Sequence, residues 1–353
     1  MIILPNEHLA HFQHVTKGVD ERIQGILDTH AHGAASKLYN MLGYALGFLD
    51  ENFKKETLSK GGKRFRPALC LFLAKEFGVE DKALEAATAI ELFHNFTLIH
   101  DDIEDHDAFR RGRETLWKRW GVNDAINSGD VLSLLACEAA ANAGHAGNDP
   151  RITSALLHAF IEVGEGQHLD FALAACDPGS GTASEKVYLE MIEKKSGAMV
   201  GVAAEVAGLI AKRTESECAL LRSFGRVVGC SYQLADDYRS VWNVEGETGK
   251  DLQGDIKEHK RTFIFFSAQK ELVGNERSRL EELYSLEQTL SEVEVKEVLA
   301  LIEKTSAKSA TRQAIHAKTD RALATLQSIS IRAEAKEMLA GVVNALVLNT
   351  IES

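Results

Sequence analysis

Residues 81–105 read DKALEAATAIELFHNFTLIHDDIED, and this stretch decides the fold. It contains no proline or glycine. Apolar side chains fall on most sides of the helix it predicts: Ala86, Ala87, Ile90, Leu92, Phe93, Phe96, Leu98 and Ile99. A helix that is apolar nearly all round belongs in the middle of a bundle. It ends abruptly in acid. Asp101 and Asp105 are one helical turn apart and share a face, with Asp102 about 100° round from Asp101.

The rest of the chain repeats the helical pattern. Four prolines in 353 residues (Pro5, Pro67, Pro150, Pro178) leave long uninterrupted segments, against a usual share of about 5%. Two helices are expected over 7–50, broken near Gly33, and another from about Pro67, a good first-turn proline. More are expected over 123–145, 151–173, 184–212 and 215–243, and over 262–352 with turns near Gly274 and Ser328. A polar loop separates the last two groups, from Gly246 to Lys260. Strand-like alternation is nearly absent. The expectation is an all-α fold, a single large helical bundle, with residues 1–353 as one domain.

Composition excludes several classes. Forty Lys plus Arg against fifty-two Asp plus Glu give a net charge of −12, which argues against nucleic-acid binding. No uncharged apolar run reaches the ~18 residues of a membrane span. The nearest, Gly197–Ala211, contains Glu205 and reads as a tightly packed internal helix. The N-terminus MIILPNEHLAHFQHV has no signal-peptide core. Cys70, Cys137, Cys176, Cys218 and Cys230 are an odd number with no CxxC, which reads as free thiols. A cytoplasmic protein is expected.

The chemistry concentrates at helix ends. Five acids lie within residues 101–107: Asp101, Asp102, Glu104, Asp105 and Asp107. Crowded carboxylates repel unless a cation joins them, and hard oxygen donors suit Mg²⁺ bridging to phosphate. A second acid pair, Asp236-Asp237, closes the apolar stretch Phe224 to Leu234. The two pairs could jointly hold several Mg²⁺ and clamp a diphosphate. Cations cluster beside them: Lys63, Arg64 and Arg66 in GGKRFRP at 61–67, Arg110-Arg111-Gly112-Arg113, Lys195, Lys250 and Lys260-Arg261. Arginine binds phosphate bidentately and lysine as a point charge.

The ordered set is specific. GGKRxRP stands at 61–67, LIHDDxxD at 98–105, RRG at 110–112 and AINSGD at 125–130. Lys-Ser-Gly follows at 195–197, YQLADD at 232–237 and GKDLQGDIKEHKRT at 249–262. On these motifs the chain resembles the all-trans isoprenyl diphosphate synthases, or polyprenyl synthetases, over roughly residues 55–265. The resemblance implies an isoprenoid synthase-like bundle around a deep central cavity, a homodimer, and condensation of isopentenyl diphosphate with an allylic diphosphate. It implies Mg²⁺, three ions per active site, on Asp101, Asp102, Asp105 and Asp236. Arg110, Lys195, Lys250 and Lys260 would bind the diphosphates together with Lys63, Arg66, His94 and Arg111, the last four taking isopentenyl diphosphate. Gln233 and the Ser196 hydroxyl would lie near the cationic carbon. No protein nucleophile is required.

The chain departs from the family pattern in three places. The second motif reads Asp236-Asp237-Tyr238-Arg239-Ser240, with Ser240 in place of a third Asp. Ser196 and Tyr232 stand where the family more often has Thr and Phe, and the C-terminus lacks the basic end of some members. The growing chain should run back along the first motif's helix. At ~1.5 Å per residue Phe96 lies about 7.5 Å and Phe93 about 12 Å below Asp101. Phe96, with the small Thr97 after it and no two-residue insertion in the motif, resembles the geranylgeranyl (C20) synthases. Farnesyl (C15) synthases, a class I terpene cyclase and a non-catalytic subunit of a heteromeric synthase are the alternatives.

Overall fold

The computed structural model describes residues 6–56, 62, 64–176, 183–242, 253–286 and 288–351. Helices dominate, in chain order. The first are α1 (Asn6–His30), α2 (Ser36–Ala45), α3 (Phe65–Glu76) and α4 (Leu84–Glu104). A minimal hairpin, β1 (Phe109–Arg110) and β2 (Arg113–Glu114), precedes α5 (Leu116–Trp120) and α6 (Val122–Ala146). Then come α7 (Pro150–Ala175), α8 (Glu185–Ile192), α9 (Ala198–Ile210) and α10 (Glu215–Trp242). The chain continues with α11 (Gly254–Lys257), α12 (Phe263–Glu271), α13 (Gly274–Leu283), α14 (Glu292–Glu303), α15 (Ala307–Gln327) and α16 (Ala333–Leu346). The all-helical expectation is borne out. Among the described residues no helix is long and apolar enough to cross a membrane.

Two compact units are distinguished. One is built on residues 5–160 with 202–222, the other on 161–201 and 223–353. In the first, α4 packs along α6 over its longest shared face. The sequence explains the closeness. Ala125, Ser128, Gly129, Ala136, Ala139, Ala140 and Ala143 form the buried side of α6. A Cβ on Gly129 would lie 2.3 Å from the His100 ring, so a larger residue there would displace that ring. The all-round apolar reading of α4 also holds, because Ala86, Ile90, Leu92, Phe93 and Ile99 are all buried. Thus α4 is fixed along its length and delivers its acidic C-terminus in a set orientation.

In the second unit the expected continuous helix over 184–212 is interrupted. Residues Glu193–Gly197 form a π-turn between α8 and α9. Glycines let α10 approach this turn closely: a Cβ on Gly229 would lie 2.6 Å from the Ser196 carbonyl oxygen and 2.8 Å from the Gly197 Cα. Ser184 caps α8, its side chain accepting from the Val187 amide. The internal reading of 197–211 holds along α9, which is buried throughout. Its Glu205 falls among residues 202–222 of the first unit, where Arg222 donates to it at 2.5 and 2.8 Å. The C-terminal helices break at more places than the two expected turns, with further breaks after Leu283 and after Glu303. The first of these is followed by a capping box, Ser291 with Glu294. The part of the Gly246–Lys260 loop before residue 253 lies outside the described residues.

Candidate active site

The first acidic cluster sits where α4 ends. Asp105 is the C-cap, its amide donating to the Asp101 carbonyl at 2.8 Å. Of the three carboxylates expected to act together, Asp102 is the buried one. Burial pushes its pKa up to about 6, helped by Asp107 and Asp101, although Arg110 opposes the shift. Arg110 Nε donates to Asp102 Oδ1, and its Nη2 lies 3.6 Å from Asp107. The hairpin aims this arginine. Arg111 and Gly112 carry φ of 54° and 74° at its turn, the left-handed pair that a two-residue type I′ hairpin needs. Asn95, Asp102, Arg110, Arg111 and Arg113 line one cleft. Arg113 is a structural member of it, donating to the Leu49 carbonyl at 2.6 Å and lying over the Tyr44 ring.

About two turns back from Asp101 on α4, His94 faces α3. Arg66 Nη1 and His94 Nε2 are 3.1 Å apart. Desolvation first, then Arg66 and further arginines, hold the His94 pKa well below its usual value. The ring is therefore neutral and Nε2 accepts from Arg66. Gly62 closes on Arg111, since a Cβ there would lie 2.5 Å from Nη2. The structure thus brings together Arg66, His94 and Arg111 of the expected isopentenyl diphosphate set. Lys63 and Lys250 lie outside the described residues.

Phe93 stacks on Phe160 with centroids 3.9 Å apart and rings within 2° of parallel. Phe96 leans on Phe93 at 5.1 Å and meets the His100 ring edge-on at 4.8 Å. Thr97 spends its hydroxyl on the His94 carbonyl, 2.8 Å away, so it presents only its methyl and no free donor.

In the second unit the π-turn points Lys195 and Ser196 to different partners. Lys195 Nζ donates to Asp170 at 2.7 Å. The Ser196 hydroxyl donates to Gln233 Oε1 at 2.7 Å. Gln233 Nε2 donates in turn to Asp237 at 2.8 Å, and the Tyr188 hydroxyl donates to the other Asp237 oxygen at 2.5 Å. Asp237 is buried, and that burial, with the charge of Asp255, pushes its pKa to about 8. Asp236 is more open and pairs with Arg239 at 2.7 Å. Arg239 is itself held by Thr350 Oγ1 at 2.5 Å and sits over the Tyr232 ring. Ser240 takes a local role, its carbonyl accepting from Gln253 at 2.9 Å. Lys260 Nζ pairs with Glu258 at 2.9 Å.

Sequence reasoning missed Tyr188, Asp237 as a hydrogen-bond hub, and the buried pair Arg64–Glu91. Glu91 had a signal: it is a lone acid between Ile90 and Leu92 in an otherwise apolar helix. Among the described residues no three His, Cys, Asp or Glu side chains form a ready-made cation site. The donor chemistry still fits a hard divalent cation. Asp101, Asp102 and Asp105 offer oxygen alone, and Asp102 pays a desolvation cost that a nearby cation relieves.

An all-helical chain with carboxylates at two helix ends, and arginines and a neutral histidine beside them, belongs to the class of enzymes that handle diphosphates. The chain is a member of the polyprenyl synthetase family, whose pattern matches residues 50–302. It is therefore a trans-prenyltransferase of the isoprenyl diphosphate synthase type. It is 37% identical over 217 residues to a geranylgeranyl pyrophosphate synthase of Geoglobus acetivorans, covering 61% of this chain and 66% of that one. It is 34% identical over 253 residues to a short chain isoprenyl diphosphate synthase of Methanocaldococcus jannaschii, covering 71% and 75%. The crystal structure of a geranylgeranyl pyrophosphate synthetase from Pyrococcus horikoshii superposes with a TM-score of 0.80 at 28% identity, covering 97% of this chain and 98% of that one. Other relatives carry the farnesyl diphosphate synthase name.

Proposed function

We propose that this enzyme adds isopentenyl diphosphate to an allylic diphosphate (dimethylallyl, geranyl or farnesyl) and stops mainly at the C20 product, geranylgeranyl diphosphate. The observation that carries the product length is the aromatic wall on α4. Phe96 and Phe93 lie in the turns just before Asp101, with Phe160 of α7 stacked on Phe93, and would bar a longer chain. A floor set at Phe96 rather than Phe93 favours C15 as the second product.

In this reading Asp101, Asp102, Asp105 and Asp236 hold Mg²⁺, three ions per active site, and Arg110, Lys195, Lys250 and Lys260 grip the allylic diphosphate. When bound, the metal neutralises the charge that develops on the leaving diphosphate. Lys63, Arg66, His94 and Arg111 hold isopentenyl diphosphate, with neutral His94 keeping the Arg66 guanidinium in place. The Ser196 hydroxyl donates its hydrogen bond to Gln233 Oε1, so its oxygen presents lone pairs to a positive centre. The isopentenyl double bond attacks the allylic carbon, and the proton lost from the isopentenyl unit goes to the departing diphosphate. Residues 1–353 act as one functional domain in the cytoplasm. Val122, Ile126 and Leu134 are 44%, 42% and 67% exposed along α6, which supports a second copy of the chain as its partner.

Incubation with isopentenyl diphosphate and each primer, read by mass spectrometry, tests the proposal. Mainly C20 with C15 next is expected. Absence of diphosphate release with every primer would point to a non-catalytic subunit, and hydrocarbon from geranylgeranyl diphosphate alone to a cyclase.

A further inference from the structure

Arg64 and Glu91 form an ion pair in the first unit, with side chains only 5% and 3% exposed. Arg64 Nη2 also lies 3.1 Å from Asp20 and 3.4 Å from the Leu46 carbonyl. Asn95 Nδ2 completes Glu91, donating to its Oε1 at 2.6 Å and to its carbonyl at 2.8 Å. Buried ion pairs are on balance no more stabilising than apolar packing of the same volume. Stability therefore does not explain three charges in this place.

Their location does. Arg64 carries φ 51° and ψ 29°, a left-handed conformation that a side chain with a Cβ rarely adopts. It is the hinge between Gly62, which closes on Arg111, and Arg66, which pairs with His94. Glu91 stands on α4 one turn before His94. The pair thus ties the strained turn to the helix that carries the histidine.

We propose that Arg64 and Glu91 are positioning residues for isopentenyl diphosphate: their buried pair locks the turn at residue 64 against α4 and so sets the spacing of Arg66, His94 and Arg111. The inference rests on reading those three as isopentenyl diphosphate ligands. Arg64 and Glu91 themselves, being buried, do not touch the substrate.

The test varies the two substrates separately in steady-state kinetics and follows urea unfolding. Glu91→Gln should raise KM for isopentenyl diphosphate about tenfold, because breaking a buried pair strands its partner's charge. KM for the allylic diphosphate should stay within about twofold, a split that general destabilisation would not produce. Arg64→Lys should behave like Glu91→Gln, since an ammonium cannot reproduce the guanidinium fork. The charge-free combination Arg64→Met with Glu91→Leu and Asp20→Asn, which leaves no partner's charge stranded, should recover the unfolding midpoint yet keep the raised KM. It also carries the test if the single variants do not fold. Parallel rises in both KM values, or a charge-free variant with normal isopentenyl KM, would overturn the proposal. Wild-type protein without isopentenyl-dependent diphosphate release would instead sink the ligand reading itself.

Discussion

The acidic ends of α4 and α10 look alike in sequence and differ in construction. At the end of α4 the buried carboxylate is Asp102, and its counter-charge, Arg110, comes from a hairpin six residues beyond the helix. At the end of α10 the buried carboxyl is Asp237, and its partners are neutral donors, Tyr188 and Gln233. The cation of that second motif, Arg239, lies within the helix and pairs with the open Asp236 instead. One motif is built to hold charge against an arginine. The other is built to orient an amide and a hydroxyl. A repeated acid pair is therefore not a repeated device.

Removing carboxylate charge should separate the two most sharply. Asp102→Asn should lower kcat about 10³-fold, the scale for losing one preorganised electrostatic group at a reacting centre, with diphosphate release as the readout. A loss under tenfold would remove Asp102 from the metal set.

Tyr188→Phe probes the other end. It strips a donor from a buried carboxyl, which should cost about 2 kcal/mol in urea unfolding. It should also lower kcat about tenfold through a freed Gln233, leaving the Mg²⁺ requirement alone. Unchanged kcat would confine Tyr188 to the core.

The contrast was partly legible. The apolar run before Asp101 and the motif order gave α4, its acids and the flanking cations, because a 3.6-residue period and charge are both visible in letters. The π-turn at Glu193–Gly197 was not, since an extra residue in a helical turn leaves no change in period that a short window detects. The hairpin was missed because each strand has only two residues, too few for alternation. Tyr188 reads as an ordinary core aromatic until its hydroxyl is seen on Asp237. The basic run at 63–66 read as a cation cluster with Lys63 and Arg66 as the substrate ligands and no separate role for Arg64, whereas Arg64 points inward to Glu91.

A smaller effect comes from His94, the neutral partner of Arg66. Its folded pKa is depressed, so below pH 6.5 the unfolded chain binds a proton that the folded one does not. The stability tied to His94 is present near pH 7 and lost as pH falls below 6.5. His94→Gln should flatten the decline in unfolding free energy between pH 7 and 5 relative to wild type. An unchanged slope would mean that the folded protein also protonates His94.

The smallest effect is expected at Arg239. Its pairing with a partly exposed Asp236 is a salt bridge of at most about 1 kcal/mol. Arg239→Gln should lower the Mg²⁺ concentration for half-maximal thermal shift in the presence of diphosphate by about two- to fivefold. A rise would mean that Arg239 helps hold the metal rather than competing with it.

The most direct measurement supplies farnesyl diphosphate, labelled isopentenyl diphosphate and Mg²⁺ to the purified protein, and counts both products. One geranylgeranyl diphosphate should form for each diphosphate released, with little extension beyond C20 and no reaction once the Mg²⁺ is chelated. Diphosphate release without carbon–carbon bond formation, or a main product longer than C25, would contradict the account.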